Sequence, residues 1–387
     1  MLHKIVQFIR STFHEPTEFI PLHDPRFIGN EKQYLNECID SNFVSSVGEF
    51  VGRFEKICAE YTGAKYAVAA MNGTSALHIA LLMAGVKSTD EVITQPLTFI
   101  ATANAISYTG ASPLFIDVDR ETMGLSPSRM EEFLEANAIM KDDGYCYDKV
   151  TGKRISACIP MHTFGHPVKL KELVAVCNKY NIALIEDAAE SIGSVYRGKQ
   201  TGTFGKMGIF SFNGNKIITS GGGGMIVTDD ETVAKHAKHI TTQAKVPHKW
   251  EFVHDEIGYN YRLTNINAAL GCAQMESLPK FIQLKRELAE KYRAFFDGSE
   301  YIFFPEPEGC CSNYWLNAVL AKDREHRDEL LAHTNSNGVM TRPIWRLMNE
   351  LPMFMNCRCG NLENSGWFEE RVVNIPSSAI IQGYHKN

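Results

Sequence analysis

Lys216 follows Ser211 by five residues in Ser211-Phe212-Asn213-Gly214-Asn215-Lys216, and a glycine run, Gly221 to Gly224, comes next. A lysine in glycine-rich surroundings can bring its amine against an aldehyde while the serine hydroxyl holds a phosphate of the same ligand. Serine and lysine are common on any surface, so the pattern takes its meaning from its companions. Upstream, Ile185-Glu186-Asp187-Ala188-Ala189-Glu190 carries an acid at the end of an apolar strand. Asn72-Gly73-Thr74-Ser75 is a polar, glycine-containing turn directly ahead of an apolar helical run. Together these are what pyridoxal phosphate asks of a protein: a lysine for its aldehyde, an acid for its ring nitrogen and donors for its phosphate.

Each residue has an assignable task. Lys216 can link to the aldehyde and, once released by substrate, move the proton between substrate and cofactor carbons. Asp187 can keep the pyridine nitrogen protonated, which makes the ring an electron sink. Gly73 permits a close approach, and Thr74 and Ser75 open a helix whose unpaired N–H groups face an anion. A Ser or Thr there is also an ordinary helix cap, a reading that explains one residue but not its neighbours. Ser211 supplies a further hydroxyl. Phe99 can stack on a pyridine face or serve as a core aromatic.

The elements that must position these groups alternate. Helical patterns run from Glu31 to Ile39 and from Phe50 to Tyr61, the second closing at Gly63. A strand spans Tyr66 to Ala70 and a helix Ser75 to Met83; the strand Val92 to Thr94 precedes a helix from Thr98 to Tyr108. The strands Pro113 to Asp117, Ile155 to Pro160, Ile182 to Glu186, Met207 to Phe212 and Met225 to Thr228 continue the set, with helices over Arg129 to Ala138 and Leu170 to Tyr180. Lys141 to Arg154 reads as an exposed hairpin or loop. Such alternation predicts an α/β fold, a mostly parallel sheet covered by helices, with functional side chains at the strands' C-terminal ends. Two long helices follow, Ile266 to Leu278 and Phe281 to Phe296, then strands near Tyr314 to Leu320 and a helix near Asp323 to Thr334. The expected organisation is an N-terminal helix and loop (1–30), a large α/β domain (31–274) and a smaller α+β domain (275–387).

Composition narrows the classes. The 387 residues carry a formal net charge of −6 and no dense Lys/Arg block, so a nucleic-acid partner is not expected. No segment approaches the roughly 20 apolar residues that span a bilayer, and the N-terminus lacks a signal-peptide pattern. Ten scattered cysteines suit a reducing cytoplasm. Cys310-Cys311 and Cys357-x-Cys359 lack the spacing of structural zinc ligands, and no metal is expected.

Five segments now carry a resemblance: Asn72-Gly73-Thr74-Ser75-Ala76-Leu77, Thr98-Phe99-Ile100-Ala101-Thr102-Ala103-Asn104, Glu186-Asp187-Ala188-Ala189, Ser211 to Lys216, and Gly258-Tyr259-Asn260-Tyr261-Arg262. In this order the chain resembles the DegT/DnrJ/EryC1/StrS family of sugar aminotransferases, from about Pro21 onward. The resemblance implies an aspartate-aminotransferase-like, fold type I homodimer with pyridoxal 5'-phosphate at the subunit interface and a role in polysaccharide biosynthesis. It matches Lys216 to the cofactor lysine, Asp187 to the ring-nitrogen acid and Phe99 to the stacking aromatic. Gly73, Thr74, Ser75 and Ser211 fall on phosphate-binding positions. Asn260 matches an asparagine reaching the phosphate of the partner subunit's site, and Arg342 falls on the sugar-facing surface.

The overall likeness is greatest to the branch that aminates C4 of UDP-linked 4-keto-6-deoxy-N-acetylhexosamines, on the way to bacillosamine and legionaminic acid, with L-glutamate as donor. The alternative is the same chemistry on a GDP- or dTDP-linked 4-keto-6-deoxy-hexose, and beyond it a noncatalytic relative. A dinucleotide enzyme lacks its Gly-x-Gly-x-x-Gly after the first strand. One departure concerns Glu190, where several members carry Gln or His toward the cofactor's phenolate oxygen. A carboxylate there must share a proton or turn toward a base or the substrate.

Overall fold

Short β-branched runs separated by apolar-faced helices assemble into one eight-stranded sheet. Its order is Tyr66–Ala70, Gly224–Thr228, Met207–Ser211, Ala183–Asp187, Ile155–Ile159, Glu91–Thr94, Ser112–Phe115 and Arg358–Cys359. Gly224–Thr228 pairs antiparallel with both neighbours, and the remaining pairings are parallel. The computed structural model describes residues 1–384, so the last three residues of the expected 275–387 segment lie outside the described residues.

Both faces of the sheet are covered, which is why its strands read as continuous apolar runs. Val68, Ala70, Ile209 and Ile226 pack with helix Gly73–Met83 and helix Glu231–Thr241 on one side. Their chain neighbours Ala69, Phe210, Met225 and Val227 pack on the other, against Phe54 and Cys58 of helix Glu49–Thr62 and Ala269 and Ala273 of the long helix. That division follows from the two-residue alternation of a strand.

The two predicted helices around Pro279 are one, Asn265–Phe296, with the proline inside it. A proline costs an interior helix a hydrogen bond and a steric clash, but here each half is held by its own packing. The first half buries Ala268, Cys272 and Leu278 against the large sheet's helices, and Gly271 lies so close to Phe54 that a Cβ would meet its ring at 2.8 Å. The second half buries Leu288, Tyr292 and Phe296 against Ile5 and Ile9 of helix Leu2–Phe13. Val319 and Ile375 join that cluster from the antiparallel sheet Ile302–Phe303, Asn317–Leu320, Val372–Ile375 and Arg342–Pro343. After this sheet's third strand in chain order, the chain returns to the large sheet, where Arg358–Cys359 adds to the edge beside Ser112–Phe115. The hairpin expected over Lys141 to Arg154 starts earlier: Ala138–Met140 pairs with Cys146–Asp148, so Ala138 belongs to a strand and not to the preceding helix. None of the helices among the described residues is long and apolar enough to cross a membrane.

Candidate active site

A cavity of about 700 Å³ opens at the C-terminal ends of the parallel strands, between the large sheet and the segment around Arg342 to Arg346. Its walls include Gly73, Thr74, Phe99, Asp187, Glu190, Ser211, Lys216 and Arg342. The sheet therefore brings together residues that lie up to 269 positions apart in the chain.

The strand carrying the acid ends one residue later than its sequence pattern indicates, at Asp187 itself. Asp187 is 3% exposed, and Thr102 Oγ1 donates to its Oδ2 at 2.7 Å while the Ala189 amide donates to Oδ1 at 3.2 Å. Burial pushes the Asp187 carboxyl above its ordinary pKa, and the bonds from Thr102 and Ala189 and the charge of Lys216 pull it back. Glu186, on the strand's opposite face, has a structural task. It is fully buried and accepts the amides of Gly202, Phe204 and Gly205 at 2.7, 2.6 and 2.9 Å. His162 completes that anchor: its Nδ1 accepts the Val168 amide, so Nε2 carries the proton donated to Glu186 at 3.2 Å.

Helix Gly73–Met83 begins two residues before the predicted start, and its cap is Asn72 rather than a Ser or Thr. Asn72 Oδ1 accepts the Ser75 amide at 2.8 Å. The amides of Gly73 and Thr74 precede the point where intrahelical bonding begins, so the positive end of the helix dipole faces the cavity. A Cβ on Gly73 would meet Ser211 Cβ at 3.0 Å. This close contact brings the helix start and the end of strand Met207–Ser211 into one corner. Ser75 is buried beneath it and does not line the cavity.

Lys216 Nζ lies 3.4 Å from Glu190 Oε1 and 4.0 Å from the centroid of the Trp315 ring. Glu190 is 3% exposed, so it is no solvent-facing turn acid. Its Oε2 accepts the Phe164 amide at 2.9 Å. Burial pushes the Glu190 carboxyl up to about 7, against the pull of Lys216 and of that amide. Phe164 holds a φ of 57° and Gly165 one of 98°, a left-handed turn that a bulky residue enters only when its surroundings enforce it. Gly165 is a glycine because Asn313 lies so close that a Cβ there would overlap its Oδ1 at 1.9 Å. Asn313 also ties the site together, donating to the Glu190 and Ile192 carbonyls and accepting the Trp315 amide. Trp315 Nε1 in turn donates to the Asn215 carbonyl at 2.7 Å, next to Lys216.

Phe99 is half exposed at the cavity wall, its ring 6.4 Å from that of Trp345. Arg342 reaches the cavity while its Nη1 donates to Asn335 Oδ1 and the Thr341 carbonyl. Asn260 is exposed beside Arg262 and does not line this chain's own cavity. Sequence reasoning gave no role to Thr102, Asn313, Trp315 or Trp345. Thr102 had a signal, standing one helical turn from Thr98, with which its hydroxyl shares a 2.9 Å hydrogen bond. Asn313 and Trp315 had none, since they arrive from the irregular segment between strands Cys310–Cys311 and Asn317–Leu320, about a hundred residues downstream of Lys216. Cys310 and Cys311 are consecutive residues of one short strand and so point to opposite faces.

These groups fit pyridoxal 5'-phosphate. An amine beside an acid of raised pKa, a second buried carboxyl, and a corner closed to any Cβ beside open helix amides are the donor set and the space it requires.

Known proteins bear on the same point. The chain is 40% identical over 362 residues to GDP-perosamine synthase from Escherichia coli O157:H7, covering 93% of each chain. It is 36% identical to GDP-perosamine synthase from Vibrio cholerae over 364 residues, 92% of this chain and 94% of that one. Among solved structures, the aminotransferase TlmJ from Streptoalloteichus hindustanus superposes with a TM-score of 0.83 at 26% identity, over 92% of this chain and 93% of its own. The two synthases overturn the expected UDP-linked N-acetylhexosamine acceptor: the relatives' own names specify a GDP-linked sugar, and nothing in the five motifs selects a nucleotide. The model of the DegT/DnrJ/EryC1/StrS aminotransferase family matches residues 25–385, and the chain belongs to that family of pyridoxal phosphate-dependent enzymes.

Proposed function

We propose that this aminotransferase transfers an amino group from L-glutamate to C4 of a GDP-linked 4-keto-6-deoxy-hexose. The observation that carries the acceptor is the 40% identity to a GDP-perosamine synthase along 93% of both chains. When bound, pyridoxal phosphate supplies an electrophilic aldehyde and a ring that accepts the electron pair released at a substrate carbon.

The chain's own residues do the rest. The Gly73 and Thr74 amides and the Ser211 hydroxyl hold the phosphate, and Phe99 covers one face of the ring. Asp187, oriented by Thr102, keeps a proton at the ring nitrogen. Lys216 Nζ takes the proton from the α-carbon of glutamate, which leaves as 2-oxoglutarate, and returns a proton to C4 of the sugar. Glu190, with a pKa of about 7 at 3.4 Å from Nζ, is the group with which that amine exchanges its proton. Arg342 and its neighbours Trp345 and Arg346 form the side of the cavity that faces the nucleotide sugar. The active unit is a homodimer in which Asn260 serves the partner's phosphate site. A reducing cytoplasm suits the ten free cysteines.

The test is a panel of GDP-, dTDP- and UDP-linked 4-keto-6-deoxy sugars with L-glutamate, following 2-oxoglutarate and the amino sugar. Highest kcat/KM on the GDP sugar is the expected outcome. Faster turnover of another nucleotide removes the GDP assignment while leaving the chemistry intact.

A further inference from the structure

The helix Glu231–Thr241 carries His236 and His239, three residues apart and hence on one face. After this helix the chain reverses through Gln243 and Ala244, at φ values of 66° and 51°, and returns along the antiparallel pair Lys245–Val246 and Val253–His254. The close packing of Gly258, where a Cβ would lie 2.2 Å from the Gln243 carbonyl carbon, holds the returning strand down. Asp255 and Glu256 are thereby delivered to the imidazoles. His236 Nε2 lies 2.8 Å from Glu256 Oε1 and His239 Nε2 lies 2.7 Å from Asp255 Oδ1. Glu256 Oε1 is also 3.7 Å from His239 Nε2, so it sits between the two rings. The ligand atoms of His239, Asp255 and Glu256 all fall within 4.8 Å of one another.

We propose that His239, Asp255 and Glu256 form a binding site for a divalent transition-metal ion of the zinc class, with His236 holding Glu256 in place from the same helix face. None of the four lines the aminotransferase cavity. Imidazole nitrogen and carboxylate oxygen are suitable donors for such an ion. Bonds of about 2.0–2.1 Å in a tetrahedron separate ligand atoms by about 3.3 Å, a value inside the 2.7–3.7 Å span of the contacts seen here. With neutral imidazoles, the two carboxylates give the cluster a charge of −2 that one divalent ion cancels. The nearest lysines on the helix are engaged elsewhere, Lys235 with Glu231 at 2.7 Å and Lys238 with Glu55 at 2.5 Å. The ion ties the loop that presents Trp250, Phe252 and Ile257 outward to the helix beneath it.

Tag-free holoenzyme, treated with a chelator, is titrated with Zn2+ by calorimetry and with Co2+ by visible absorption. One equivalent per chain is expected, with a Co2+ spectrum free of thiolate charge-transfer bands. The H236A/H239A variant and, separately, D255N/E256Q weaken binding by more than the roughly 10–100-fold that loss of an outer-shell partner costs. Circular dichroism and bound cofactor stay unchanged in both. Absence of stoichiometric binding overturns the site, as does a thiolate signature or equal affinity in both variants. If one variant fails to fold, the other and the wild-type Co2+ spectrum still decide.

Discussion

Lys216 and Glu190 share a buried corner, Nζ lying 3.4 Å from Oε1. Lys216→Ala removes the amine and leaves Asp187 and Glu190 as acids with no base for the substrate carbon. Multiple turnover with glutamate and keto sugar falls to background, read as 2-oxoglutarate release, whereas the cofactor phosphate still has Ser211 and the Gly73 turn. Asp187→Asn keeps the shape and the Thr102 contact but loses the charge that holds a proton on the ring, so kcat falls by about 100-fold or more with little change in KM. A near-normal kcat would take Asp187 out of that role. For Glu190, the folded pKa of about 7 lies above the ordinary 4.5. Between these values the native chain keeps a proton that the unfolded chain has released. The stability held through this group is therefore complete below about pH 4.5 and declines as pH rises through 7, a deficit of about 3 kcal/mol at its limit. Glu190→Gln removes the titration. In urea unfolding of cofactor-free protein, the variant should gain on the wild type by about that amount between pH 5 and pH 8. An identical difference at the two pH values would mean that the carboxyl is not held protonated by burial.

At the scale of elements, the start of helix Gly73–Met83 joins stability to binding. Asn72→Ala removes the acceptor of the Ser75 amide and costs about 1 kcal/mol; it also unsettles the turn that presents the Gly73 and Thr74 amides. Ser126 caps helix Pro127–Asn137 in the same way, accepting the Arg129 amide, and lies outside the cavity. Ser126→Ala should therefore match the loss of stability but leave the cofactor dissociation constant unchanged, while Asn72→Ala raises it severalfold. Equal constants would show the cap to be structural only. The elements themselves were legible because their signals are local: strand runs such as Met207 to Phe212, which the structure ends one residue earlier at Ser211, and the glycine stop at Gly63. What escaped depends on contacts distant in sequence. Pro279 reads as a break, yet packing on both sides carries the helix through it. Arg358–Cys359 is too short to announce a strand and exists because the edge of Ser112–Phe115 is available. Lys216, Asp187 and the Gly73 turn were visible from residue type and order, whereas Asn313 and Trp315 reach the site only through tertiary structure.

For the whole molecule, the decisive residue is Asn260. It is exposed and absent from its own chain's cavity, and only the family resemblance suggests where it acts. In the chain segment leading to Asn260, three large apolar side chains face water: Trp250, Phe252 and Ile257 are 71%, 83% and 84% exposed. The resemblance places Asn260 at the phosphate of a second copy. Complementation tests this directly, with K216A and N260A each inactive as a homodimer. In a mixed dimer one site collects both defects and the other has an intact Lys216 from one chain and an intact Asn260 from its partner. Random mixing makes about half the dimers mixed, each with one working site, so activity should recover to about a quarter of wild type. Subunit exchange is verified by native mass spectrometry with one variant isotopically labelled. Full exchange without recovery would place Asn260 in the service of its own chain. If N260A alone stays active, the affinity of the N260A homodimer for the cofactor takes over as the test: a weakened constant keeps Asn260 at the phosphate, and an unchanged one removes it.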